Sequence, residues 1–131
     1  MGWAATALGS GQFSAVERCK DLEGLSAHFN AQRSGGQGYL EARLPGSEFP
    51  LLTLGFRDDQ AVIHLFDAAD QAFLLGGDGS AAADSMGHVP IVDDVAVFCG
   101  NFILTVDRAW FLLCQFIQEG SPSELGEWHE M

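Results

Sequence analysis

The stretch from Phe49 to Leu75, FPLLTLGFRDDQAVIHLFDAADQAFLL, holds three apolar runs separated by two polar breaks. Leu51 to Phe56 is nearly continuous in apolar residues. Arg57-Asp58-Asp59-Gln60 is a polar turn of hairpin length, and Ala61-Val62-Ile63-His64-Leu65-Phe66 follows it. A second break, Asp67-Ala68-Ala69-Asp70-Gln71, leads into Phe73-Leu74-Leu75. The pattern predicts three consecutive antiparallel strands. A strand that is apolar on both faces must be covered on both, or covered on one and lodged in an interface on the other.

C-terminal to this centre, Thr105 is a good helix N-cap, Asp107 suits the first turn, and the helix runs through Arg108 to Glu119 before Gly120 stops it. Val106, Ala109, Trp110, Leu113 and Ile117 form its apolar stripe, which Phe111, Leu112, Cys114 and Phe116 widen to most of the circumference. This predicts a buried core helix. Val95 to Cys99 and Asn101 to Leu104 read as short strands with Gly100 between them, and Pro90 to Asp94 as an acidic connection. The small residues from Gly76 to Ser85 read as a mobile loop. In the tail, Leu125 and Trp128 are expected to pin the chain back onto the domain.

N-terminal to the centre, Trp3 to Leu8 suits an edge strand, and Phe13 to Cys19 is ambiguous between a strand and a helix start. Asp21 is the preferred N-cap of a helix from 22 to 33, carried by Leu22, Leu25 and Phe29, weakened by Gly24 and ended by Ser34-Gly35-Gly36. Gln37 to Leu44 alternates as a strand, and Pro45-Gly46 turns into the centre. The expected architecture is one α+β domain spanning 1–131. A mostly antiparallel five- or six-stranded sheet packs against the C-terminal core helix, with an N-terminal helix beside it.

A chain of 131 residues with 47% apolar and 11% aromatic content can bury a substantial core. Its formal net charge is −12, and between Arg57 and Arg108 there is no Lys or Arg but nine Asp. Such a surface disfavours nucleic acid, whose phosphates need positive charge, and favours a basic partner. Acidity also provides solubility. Cys19, Cys99 and Cys114 have no C-x-x-C spacing and sit among apolar residues, as thiols of a reducing compartment do. With no signal-peptide pattern and no apolar span near membrane length, the expected location is cytoplasmic.

The run PGSEFPLLTLGFRDDQAVIHLFDAADQAFLLGGDGS from Pro45 to Ser80, with the C-terminal GSPSELGEWHEM, resembles the immunity protein family numbered one in bacterial polymorphic-toxin systems. The likeness covers roughly residues 38 to 131. It implies a cytoplasmic antidote that binds and neutralises a toxin, many such toxins being nucleic-acid deaminases. Loop carboxylates Asp67, Asp70, Asp78, Asp84, Asp93 and Asp94, with Trp128 as a candidate apolar anchor, are the residues expected to meet a basic toxin domain.

Catalytic patterns are absent from the sequence. His28, His64, His88 and His129 are isolated from metal-ligand spacings, and His64 on an apolar strand reads as a satisfied core imidazole. The H-x-E and P-C-x-x-C pattern of zinc deaminases does not occur, nor does G-x-S-x-G. Gly76 to Ser80 lacks the residues of a phosphate cradle or a calcium loop. Asp58-Asp59 and Asp93-Asp94 read as solvated turn formers. The expectation is a protein without enzyme activity, cofactor or metal. The alternative is a small α+β enzyme or small-molecule-binding protein with a pocket between helix and sheet.

Overall fold

The computed structural model describes residues 2–6, 13–19, 22–43, 49–68, 71–91, 94–119 and 125–130. The proposed Asp21 cap, the Pro45-Gly46 turn, Asp70, Asp93 and Gly120 lie outside them. The elements in chain order are β1 (Gly2–Thr6), β2 (Phe13–Cys19), α1 (Leu22–Ser34), β3 (Gln37–Arg43), β4 (Leu51–Arg57), β5 (Gln60–Ala68) and β6 (Gln71–Leu75). They continue with β7 (Met86–Ile91), β8 (Asp94–Cys99), a 3-10 turn (Gly100–Phe102), α2 (Val106–Glu119) and β9 (Trp128–Glu130).

The α+β class holds. Seven strands in the order β2-β1-β3-β4-β5-β6-β9 form one antiparallel sheet, and β7-β8 form a separate two-stranded sheet. The sheet therefore exceeds the five or six strands expected, since Phe13–Cys19 and the tail residues Trp128–Glu130 both join it. β1 is interior, between β2 and β3, and not an edge strand. Val95 to Cys99 belongs to the β7–β8 hairpin and not to the main sheet. Asn101 to Leu104 is no strand either: the 3-10 turn is followed by a single bridge from Leu104 to Ala61.

The register sorts side chains between two faces. Leu40 opposes Leu54, Ala42 opposes Leu52, and Leu52, Leu54 and Phe56 oppose Leu65, Ile63 and Ala61. All of these join one core with Leu25 and Phe29 of α1 and Val106, Ala109, Leu112, Leu113 and Phe116 of α2. Both helices thus cover the same face. They meet where Phe29 stacks on Trp110, ring centroids 4.2 Å apart and nearly parallel, with Phe56 edge-on to Phe29 at 5.5 Å.

Thr105 does cap α2: its Oγ1 accepts from Arg108 N at 3.3 Å. The helix is amphipathic, however, and Phe111 is 57% exposed under the Arg108 guanidinium, so it does not widen the buried stripe. α1 ends where Gly36, at φ 89°, takes a left-handed conformation that costs a glycine little.

The opposite face is covered by the hairpin. Val62 and Leu74 of the sheet pack with Val89 and Ile103, flanked by Ile91, Phe98 and Phe102. Gly55 allows this approach, because a Cβ there would collide with the Pro90 carbonyl oxygen. Pro90 and Ile91 were expected to belong to an acidic connection, and they close the strand Met86–Ile91. The strand forms because the hairpin gains its burial from the sheet beneath it, which local periodicity does not report.

Candidate functional site

Of the carboxylates singled out from the sequence, the described ones, Asp67, Asp78, Asp84 and Asp94, do not converge on one place. Asp67 is exposed near the end of β5. Asp78 follows β6, at the opposite end of the sheet, since β5 and β6 are antiparallel and β6 ends at Leu75. Seven residues along β5, roughly 23 Å of strand, separate these two ends. Asp84 is exposed in the loop entering β7, and Asp94 is exposed at the start of β8.

Asp78 is occupied structurally. Its Oδ1 accepts from Ser80 N at 2.9 Å, and its Oδ2 accepts from Thr105 N at 3.0 Å and Thr105 Oγ1 at 3.3 Å. Partial burial raises its pKa, but these hydrogen bonds outweigh that, and the group lies below the ordinary carboxylate value. Asp59, read as a solvated turn former, accepts from Val106 N at 3.3 Å. Two carboxylates thus serve the start of α2. Asp107, in its first turn, pairs with Arg33 at the end of α1; the hydrogen bond and charge of each partner lower the Asp107 pKa and raise that of Arg33.

Trp128 is half-buried against the main core, opposite Leu75, and Leu125 is buried there too. Both pin the tail as expected, which leaves Trp128 partly committed to the fold.

What stands exposed is the outer side of the hairpin. Met86, Val95 and Val97 are 60%, 51% and 49% exposed. Alternation along the strands places them with His88, which opposes Val97 in the ladder. At the Met86 end an open pocket of about 300 Å³ is lined by Arg57, Asp58, Gln60, Met86 and His88. Asp58 occupies its turn at φ 55°, uncommon for a residue other than glycine, and its N–H donates to Gly36 O at 2.7 Å. Apolar side chains therefore lie between the exposed carboxylates Asp58, Asp84 and Asp94. Sequence reasoning missed this surface because it counted Val95 to Cys99 as a strand of the main sheet. The exclusion of Lys and Arg from 58 to 107 was its one visible signal.

Beneath the hairpin, a polar group interrupts the apolar face. Tyr39 OH donates to Glu41 Oε2 at 2.7 Å, and burial, followed by the Glu41 charge, drives the phenol pKa strongly upward. Thr53 is buried opposite His64. His64 is buried between Phe66 and Phe98, at 6.2 and 5.4 Å between ring centroids, and its Nδ1 makes no hydrogen bond. The expected satisfied imidazole is thus unsatisfied at one nitrogen. Burial depresses its pKa to about 4, so the ring is neutral at pH 7.

Cys99 and Cys114 are half-buried free thiols, and burial raises the Cys114 pKa. Among the described residues, no group of three His, Cys, Asp or Glu is placed to hold a metal, and no helix is long and apolar enough to cross a membrane. No family model matches the chain, and no curated protein is significantly similar to it.

Proposed function

We propose that this chain is an immunity protein, which binds and neutralises a bacterial polymorphic toxin by covering the basic groove of its nucleic-acid-processing domain. The observation that carries the reading is the exposed apolar outer side of β7–β8, set among Asp58, Asp84 and Asp94 on a chain of net charge −12. Exposed apolar patches with charged rims are typical of protein-docking surfaces, and carboxylates steer a basic partner toward them. The toxin's class, a nucleic-acid deaminase, comes from the resemblance of residues 38 to 131 to the immunity family. The enzyme or carrier alternative gains less support, because Leu54, Ile63, Leu113 and Phe116 fill the space between α2 and the sheet and are fully buried.

The test examines the genes adjoining this one and co-expresses the chain with any toxin-like gene found there. The expected outcome is restored growth and a stable one-to-one complex whose association slows with added salt. Asp84→Asn with Asp94→Asn is expected to slow association at low ionic strength, whereas Asp67→Asn, at the far end of β5, leaves it unchanged. Growth arrest that persists despite abundant folded protein overturns the reading.

A further inference from the structure

The two strands of the hairpin are unequal. β7 lies on the sheet with Val89 and Pro90 buried, while β8 is the outer strand, and no further strand among the described residues pairs with it. One residue fixes which backbone groups of β8 point outward. Directly opposed residues of an antiparallel ladder alternate between pairs that exchange two hydrogen bonds and pairs that exchange none. Pro90 has no N–H to exchange, so Pro90 with Val95 is a pair of the second kind, and so is His88 with Val97.

Two contacts agree with this phase. Gly100 N donates to Ser85 O at 2.9 Å, which makes that pair one of the bonded kind, and Val95 N donates to the Asp94 carboxylate at 2.8 Å instead of to β7. The N–H of Val97 and the carbonyls of Val95 and Val97 therefore face away from the hairpin.

An outward strand edge is a template for another strand, and chains commonly blunt such edges with Lys, Pro or a bulge. From Val95 to Cys99, β8 has neither Lys nor Pro, and its ladder to β7 runs without a shift in register. Charge selects the occupant. A second copy would bring Asp84 and Asp94 against their own kind on molecules of net charge −12, whereas a strand bearing Lys or Arg meets complementary carboxylates.

We infer that the outer edge of β8 receives an extended basic segment of the partner as an added strand, paired through Val97 and flanked by Asp84 and Asp94. The inference rests on the partner-binding reading above and specifies where and how the partner is held. Val95 and Val97 supply the apolar contact on the outer face.

Amide hydrogen exchange of the whole protein tests it, with a synthetic six-residue peptide of alternating Lys and Val as probe and its Glu–Val counterpart as control. The basic peptide is expected to slow exchange at Val97 at least about tenfold, with the already bonded Ala96 and Phe98 unchanged and the acidic peptide without effect. Val97→Pro, which removes an outward N–H but no ladder bond, is expected to abolish peptide binding, whereas Val97→Thr retains it. Unchanged exchange at Val97, equal slowing by both peptides, or slowing that depends on protein concentration without peptide overturns the inference. If Val97→Pro still rescues cells from the toxin, the edge assignment fails and the immunity reading stands. If the wild-type protein protects Val97 with the peptide yet rescues no cell, the edge stands and the immunity reading fails.

Discussion

His64 is a basic group held neutral in an apolar setting, and its effect on stability has a definite sign. Unfolded, it takes up a proton below about pH 6.5, but folded it does so only near pH 4. Stability attributable to this residue is thus intact above pH 6.5 and declines as the pH falls through that window. Between pH 7 and about pH 4.5 the loss is expected to be roughly 2 kcal/mol, and His64→Leu should remove it. Urea unfolding of both proteins at the two pH values measures this, and equal pH dependence would show that His64 already titrates in the fold. Among the carboxylates, burial of function in geometry separates two that look alike in sequence. Asp78→Ala, which strips the acceptors of Thr105 and Ser80, is expected to cost about 1 to 2 kcal/mol, while Asp84→Ala stays within about 0.5 kcal/mol. Denaturant midpoints of the two variants read the difference directly.

Elements divide by how much of their burial is encoded locally. α2 was legible to its last residue, because Thr105 and the spacing of Val106, Ala109 and Leu113 carry both its start and its face. Leu113→Ala is expected to lose about 2 to 5 kcal/mol, and Phe111→Ala no more than about 0.5 kcal/mol, in thermal or chemical unfolding. The hairpin was less legible. Gly87 and Pro90 break the alternation of β7, and both are tolerated for reasons of position: Gly87 lies close against Ile103, and the Pro90 nitrogen, in a ladder pair that exchanges no hydrogen bonds, points away from β8. Gly55→Ala tests the stacking of hairpin on sheet. It is expected to destabilise by about 1 to 3 kcal/mol and to loosen β7–β8 selectively, seen as faster amide exchange there than in β4–β5.

For the whole molecule, eighteen acidic residues face six Lys and Arg, so the folded chain repels itself at low salt. Screening should stabilise it: the thermal midpoint is expected to rise as NaCl increases from about 0.01 M to about 0.3 M, where the Debye length shrinks to a few ångströms. A flat or falling midpoint would mean that attractive pairs such as Arg33 with Asp107 dominate the balance. The same charge is unevenly distributed. Asp67 stands at one end of the sheet, Asp78 is consumed at the other, and Asp84 and Asp94 flank the hairpin, so the carboxylates do not act as one surface.

The sequence by itself determined the α+β class, the hairpins of Leu51 to Leu75, the two helices and the acidic character. Each follows from residues within a turn or two of one another: period-two and period-3.6 patterns, caps and charge count. Only the tertiary structure decided that Trp128–Glu130 completes the sheet, that β7–β8 leaves it to cover the second face, and that Asp78 and Asp59 serve α2. Those outcomes depend on partners 27 to 57 residues away in the chain, such as Thr105 for Asp78 and Phe73 to Leu75 for β9. Their energy comes from burial and pairing that exist once the chain has closed on itself, and local spacing carries no record of it.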